Sequence, residues 1–222
     1  MASMTETVAQ RAVDRNADRR RGEYAREVQR IVEATYDHIE RTGSLDPSLR
    51  DILRGCGLST QGFYRYFHSK DELMLVLLDD GRRRLVDYLV DRMGAVGSPA
   101  ARVRAWVEGV LAQASHTRSA ARTRPFAANE DRLAEVFPDE QRESVDLLVG
   151  LLIGPLVDGT GRRPAAVRDD ADAIYRLVFG VLRGHLILRT RPSAAEVEHV
   201  VGFCLRGAGM DGPGVDARED RS

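Results

Sequence analysis

From Val28 to Arg206 the apolar residues recur at intervals of three and four, and no convincing run alternates with period two. That single pattern admits amphipathic helices and excludes a sheet of any size. The chain is therefore expected to be all-α, with eight or nine helices. Val28, Ile31, Val32, Thr35 and Ile39 form one stripe of about three turns, ended by Thr42-Gly43. Three short elements follow, bounded by capping residues. Ser48 and Asp51 have capping-box spacing and open a helix that Gly57 closes; Ser59 can cap the next turn; Ser69 and Glu72 open a long helix from Lys70 to about Met93.

Beyond it, Gly97-Ser98-Pro99 precedes a helix around Val103, Trp106, Val107, Val110 and Leu111. Residues 118–138 read as a pair of shorter turns, and 139–158 as a helix that Gly154-Pro155 should kink or end. A long helix from about Val167 to Arg191, stopped by Pro192, and a last one from Ser193 to about Arg206 complete the body. This divides the 222 residues into a mobile polar tail (1–22), a three-helix head (23–69), a helical body (70–208) and a mobile Gly- and charge-rich tail (209–222).

A short helix, a turn holding Gly57 and a second short helix make a helix-turn-helix, whose second helix suits the major groove. Phe63 and Phe67, four apart, share a face with Leu58 and are assigned to the head's core. Thr60, Gln61 and Tyr64 are left outward, and Gly62 permits close backbone approach. The net charge of the whole chain is only −1, but residues 47–70 carry Arg50, Arg54, Arg65 and Lys70 against Asp51 alone. Phosphate contact depends on such a local balance and not on the total.

Lys70 is the only lysine in the chain. A cation in the first helical turn opposes the macrodipole, whereas a phosphate at the same place accepts bonds from the ammonium and the free backbone amides together. Exposed lysines at helix N-termini also occur without any function. With the turn, the caps and the local charge, the phosphate reading is preferred. Arg19, Arg20 and Arg21 could reach an adjacent groove, but a solvated charge run is the better account and they stay outside the site.

The stretch "SLRDILRGCGLSTQGFYRYFHSKDEL", with Tyr64 and Phe67 in a Tyr-x-x-Phe followed by the lysine, resembles the signature of the TetR family of bacterial transcriptional repressors. Overall length, a head followed by a larger helical body, and the endings of the last two helices are similar to that family more weakly. Cys56 and Leu53 depart from it where smaller residues are usual. The resemblance implies a homodimer that binds a partly palindromic DNA operator and is released by a small-molecule effector. It places Ser48 and Arg50 on the DNA backbone, Thr60, Gln61 and Gly62 at bases, and Tyr64, Tyr66 and Lys70 on phosphates. The helix-turn-helix domain would then be followed by a helical bundle for ligand binding and dimerisation, the ligand shifting the long helix about Gly81.

For the dimer, Gly180, Gly184 and Leu188 recur every fourth position, interleaved with Leu177 and Val181, and the last helix offers Val197, Val200, Val201 and Cys204. These stripes could equally meet helices of the same chain. For a pocket, Trp106, Val110, His116, Phe126, Phe137 and Tyr175 are the candidates, with His185, Arg122 and Arg124 as further polar groups, each also compatible with a structural role.

Two rivals were weighed. An enzyme is disfavoured: the histidines at 38, 68, 116, 185 and 199 lack metal-ligand spacing, and neither Cys56 nor Cys204 has a nearby histidine. No catalytic residue, metal or cofactor is expected. A helical adaptor that binds protein through its head remains open. Both cysteines are read as reduced and buried. No apolar run reaches membrane-spanning length and the polar amino terminus lacks a secretion signal, so a cytoplasmic protein without a membrane partner is expected.

Overall fold

The computed structural model describes residues 8–44 and 46–210, the side chains of 8–14 excepted. Among the described residues there are nine α-helices and no strand: α1 (Val8–Thr42), α2 (Leu49–Cys56), α3 (Thr60–Phe63), α4 (Lys70–Gly94), α5 (Pro99–Ser115), α6 (Thr117–Val136), α7 (Pro138–Thr160), α8 (Pro164–Leu188) and α9 (Ala194–Gly207). They form two compact units that divide between Val76 and Leu77, so the first two turns of α4 belong with the head. Buried Leu73 and Met74 lie in those turns.

The head is built around Ile31, Val32, Tyr36 and Ile39 of α1, Ile52, Leu53 and Cys56 of α2, and Phe63 and Phe67, all buried as their spacing requires. Thr35 is buried too, its hydroxyl donating to the Ile31 carbonyl at 2.7 Å, which removes the cost of an unpaired polar group. Helix α1 starts at Val8, well before the expected boundary at residue 23. The segment ahead of the apolar stripe lacks proline and is rich in good helix formers. It carries ion pairs one turn apart, Arg21 with Asp18 at 3.2 Å and Arg19 with Glu23 at 3.9 Å, of the kind that sustain a solvated helix. Residues 1–7 of the expected tail lie outside the described residues.

In the body, α5 is the central rod, with Val103, Trp106, Val107, Val110 and Leu111 fully enclosed and packed among α6, α7, α8 and α9. The Trp106 indole donates to the Leu148 carbonyl of α7 at 3.2 Å. Gly109 lets α4 come close, for a Cβ there would lie 2.5 Å from Leu89 Cδ2. Three boundaries depart from the spacing-based reading. Residues 117–136 form one helix that holds Pro125 in its interior, and α7 runs through Pro155 to Thr160. Each proline forgoes one backbone hydrogen bond, and its buried ring is held by tertiary packing that outweighs the loss. Helix α8 ends at Leu188, where Arg189 adopts φ 56°, three residues ahead of the expected stop.

The C-terminal boundary also moves. Gly209 at φ 72° turns the chain so that Met210 N–H donates to the Leu205 carbonyl at 2.8 Å, a Schellman closure, and Met210 is buried beside Gly159. Residues 209 and 210 thus belong to the body, and 211–222 lie outside the described residues.

Two sets of assigned residues sit differently from expectation. Of the proposed dimer residues, Val200, Val201 and Cys204 are buried in the protomer's own core, because this face of α9 packs against α5. They have no surface to offer a partner. Leu177, Val181, Gly184 and Val197 are half-buried, and Gly180 and Leu188 are exposed. Of the proposed pocket residues, His116 is exposed at the α5–α6 junction, where its backbone ends one helix and starts the next. Phe137 is half-buried at the α6–α7 junction. Trp106, Val110, Phe126 and Tyr175 are buried. His185 and Arg124 are structural ties: the imidazole lies 2.8 Å from Thr190 Oγ1 and 3.1 Å from Glu196 Oε1, and the guanidinium donates to the Leu186 carbonyl at 2.8 Å.

Candidate nucleic-acid interface

The turn between α2 and α3 is closed from both sides. Ser48 caps α2 by accepting from Asp51 N–H at 3.2 Å, and its own hydroxyl donates to Asp51 Oδ2 at 2.6 Å, which holds that carboxyl below its usual range. At the other end Gly57 sits at φ 64°, in the left-handed region, and Leu58 N–H returns to the Leu53 carbonyl at 3.1 Å. Arg30 of α1 donates to the Cys56 carbonyl at 3.1 Å while pairing with Glu27 at 2.7 Å, so the C-terminus of α2 is tied down. Ser59 then caps α3, accepting from Gly62 N–H at 3.0 Å.

This scaffold sorts the aromatic cluster by face. Phe63 and Phe67 stack at 5.3 Å inside the head. Tyr64 meets Phe63 edge-on at 5.4 Å and is 54% exposed. Thr60, Gln61 and Arg65 are exposed with it, so four neighbouring side chains of different hydrogen-bonding character stand outward from a rigid turn. Tyr66 is half-buried: its carbonyl accepts from the Tyr24 hydroxyl at 3.2 Å and the two rings lie 5.1 Å apart. Gly62 is buried, and a Cβ there would come within 3.2 Å of Ser59 Oγ, so its lack of a side chain leaves room for the cap.

Lys70 needs a correction of its physical premise. Its ammonium is not alone at the mouth of α4 but forms a short ion pair with Asp46 from the α1–α2 loop, the lysine side chain 22% exposed and the aspartate 59%. Asp71 and Glu72 also occupy the first turn of α4, so the macrodipole is already met by negative charge. Ser69 accepts from Glu72 N–H at 3.0 Å, and the Glu72 carboxylate reaches back to His68 N–H, one residue beyond the usual capping-box partner. Similarly, the Ser48 hydroxyl proton is committed to Asp51, which leaves that oxygen only its acceptor capacity. Arg50 is exposed on the first turn of α2.

Arg65 was not among the assigned site residues. It lies one position past Tyr64, with its guanidinium 5.9 Å from the Tyr66 ring. It lines a groove of about 740 Å³ with Arg20, Glu23, Tyr24, Arg26, Glu27, Arg30, Leu58 and Tyr66. The signal was present as charged and aromatic residues recurring every three or four positions along α1. It could not be attached to the turn without knowing that Tyr24 meets Tyr66.

Residues 31–77 match the model described as bacterial regulatory proteins, tetR family. Over these residues, which span the helix-turn-helix and the start of α4, the chain is similar to the tetR family. Solved structures carry the likeness across the fold. A TetR transcription regulator from Haloarcula marismortui is 20% identical with a TM-score of 0.62, over 83% of this chain and 97% of that one. A TetR family transcription regulator from Marinobacter aquaeolei is 15% identical with a TM-score of 0.54, over 85% and 97%. The fatty acid degradation regulator FadR from Bacillus halodurans is 19% identical with a TM-score of 0.59, over 81% and 94%. At these identities the structures share the tetR-family fold, an N-terminal helix-turn-helix followed by a helical domain. No curated protein sequence matches this chain. Among the described residues, no group of histidine, cysteine or acidic side chains could hold a metal ion, and no helix is long and apolar enough to cross a membrane.

Proposed function

We propose that this protein is a ligand-responsive repressor that binds a palindromic DNA operator as a homodimer. The observation that carries the reading is the outward strip of Thr60, Gln61, Tyr64 and Arg65 on a turn whose backbone is capped at every end. Such a strip offers donors, acceptors and a cation at fixed positions, which is what base-edge readout demands. Arg50 and Lys70 are the phosphate anchors, Lys70 exchanging Asp46 for a phosphate when DNA is present. Tyr64 and Tyr66 flank that backbone path.

The dimer is assigned to exposed apolar residues of α8 and α9: Leu188 at 73% exposure, Phe203 at 56% and Ile187 at 50%, together with Gly180 and Gly184. Side chains of this size are seldom left in water in such number on adjacent elements, and a two-fold pairing presents two heads to two half-sites. Effector binding in the body shifts the population between a state whose heads match the operator and one whose heads do not.

Gel shifts with the DNA flanking the protein's own gene, repeated over a range of salt, test the reading. A salt-sensitive, sequence-selective complex is expected. Gln61→Ala should alter preference at one base pair per half-site, whereas Lys70→Ala should weaken binding to every sequence and flatten the salt slope. Leu188→Glu should give a monomer by sedimentation that no longer binds the operator. A wild-type protein that binds no DNA fragment selectively would favour the adaptor.

A further inference from the structure

The body encloses a polar group of residues for which its fold gives no use. Arg82 of α4, Gln141 and Ser144 of α7 and Tyr175 of α8 are each more than nine-tenths buried. Arg82 donates to Gln141 Oε1 at 2.6 Å. That bond joins the Arg82 guanidinium to a neutral amide and not to a carboxylate. Gln141 Nε2, Ser144 Oγ and Tyr175 Oη are all buried without a hydrogen-bond partner. The Tyr175 hydroxyl lies near Arg82 but forms no well-aligned bond with it. Glu130 of α6, only partly buried, acts on the same phenol from outside hydrogen-bonding distance.

A buried cation bonded to a neutral amide and three orphaned polar atoms are costly together, and natural cores hold few of them. Their chemistry points one way. The Gln141 amide is oriented by Arg82, which can only donate, so Oε1 is used and Nε2 is left as a donor. The guanidinium has further N–H groups, and both hydroxyls carry a proton to give. Four residues thus offer hydrogens, and the one obligate acceptor among them is already taken. The group that answers such a set is acceptor-only and negatively charged, with two oxygens that can share several donors. Burial pushes the Tyr175 phenol up to about 12, so it stays a donor at any physiological pH.

The side chains packed near Tyr175 are apolar and aromatic. The Tyr175 ring stacks on Phe179 at 4.3 Å, and Phe179 lies 6.3 Å from Trp106. Leu148 and Leu152, on the same helix as Ser144, are fully buried. We propose that Arg82, Gln141, Ser144 and Tyr175 form the head-group subsite of the effector, and that the effector is a carboxylic acid with an apolar or aromatic body. The proposal rests on the reading of the body as the effector-binding half of a regulator.

The test uses the full-length protein at neutral pH. Thermal unfolding is followed with straight-chain acids from hexanoate to palmitate and phenylalkanoates from phenylacetate to phenylhexanoate, each beside its primary amide. At least one acid should raise the midpoint by several degrees while its amide leaves it unmoved. Tyr175→Phe and Ser144→Ala should each weaken that acid about tenfold, as loss of a hydrogen bond to a charged group does. Both should leave the ligand-free midpoint unchanged or higher, because an orphaned polar atom is removed at nearly constant volume. Three results would overturn the subsite: acids and amides acting alike, no acid acting at all, or a lowered ligand-free midpoint in both variants, which would mean an ordered-water network of purely structural use. Selective DNA binding by the unliganded protein is measured in parallel. Its loss overturns the regulator reading, whereas intact DNA binding with silent acids overturns the subsite alone.

Discussion

The head and the body of this protein treat buried polar atoms in opposite ways. In the head, Ser48, Ser59 and Ser69 each cap a helix, Arg30 closes the end of α2, and buried Thr35 is bonded to its own helix. The buried side-chain atoms without a hydrogen-bond partner, among the described residues, all lie in the body: on Arg92, Gln141, Ser144 and Tyr175, and on Asp80, whose Oδ2 is held only by an ion pair with Arg84 at 3.0 Å. A reading surface has to keep its geometry whether or not DNA is present, so every local bond is made in advance. On the proposed reading, the body keeps some of its bonding capacity uncommitted for a ligand, and pays for it in stability.

That contrast can be broken by substitutions of graded size. The largest effect is expected in the head's core, where Phe63→Ala should cost about 3–5 kcal/mol by chemical denaturation and abolish operator binding, because the stacked Phe67 loses its partner. Next comes the body at alkaline pH. Tyr175 is raised to about 12 by burial, Arg82 lowering and Glu130 raising it, against an unfolded value of about 10. A raised folded pKa means stability fully present below the unfolded value and lost as pH climbs from 10 to 12, amounting to about 2–3 kcal/mol. Tyr175→Phe should abolish that part of the alkaline loss, read from unfolding midpoints across this window. A wild-type curve parallel to the variant's would show that the phenol is solvated.

Smaller still is the cap of α3. Ser59→Ala should cost about 1 kcal/mol and loosen the turn between α2 and α3, measurable by denaturation and by faster amide exchange at Gly62. The smallest effect separates the two regions most cleanly. Ser144→Ala in the body removes a hydroxyl too, yet it should change stability by no more than about 0.5 kcal/mol, or raise it, because that hydroxyl bonds to nothing. Equal losses at Ser59 and Ser144 would erase the distinction.

Legibility followed how local each interaction is. The caps at Ser48, Ser59 and Ser69, the left-handed Gly57, and the inward Phe63 and Phe67 were readable because each depends on residues within a turn of itself. The crowding at Gly62 was not legible, since its neighbour Ser59 Oγ occupies the space where a Cβ would go, a fact of the folded turn. The partner of Lys70 was not legible, because Asp46 lies 24 positions away in sequence, beyond the reach of spacing arguments. The burial of Val200, Val201 and Cys204 follows from which face of α9 meets α5, and an apolar stripe does not name its partner.

Sequence alone determined that this chain would be helical, where its short helices start and stop, and which aromatics would enter the head. Helix periodicity and capping are short-range properties, written in a few consecutive side chains. Tertiary structure decided which stripe faces which helix, that Pro125 and Pro155 sit inside helices, and that Arg82 meets Gln141 and Tyr175. Those outcomes depend on contacts between distant segments, where packing outweighs local propensity and a residue's neighbours are set by the fold.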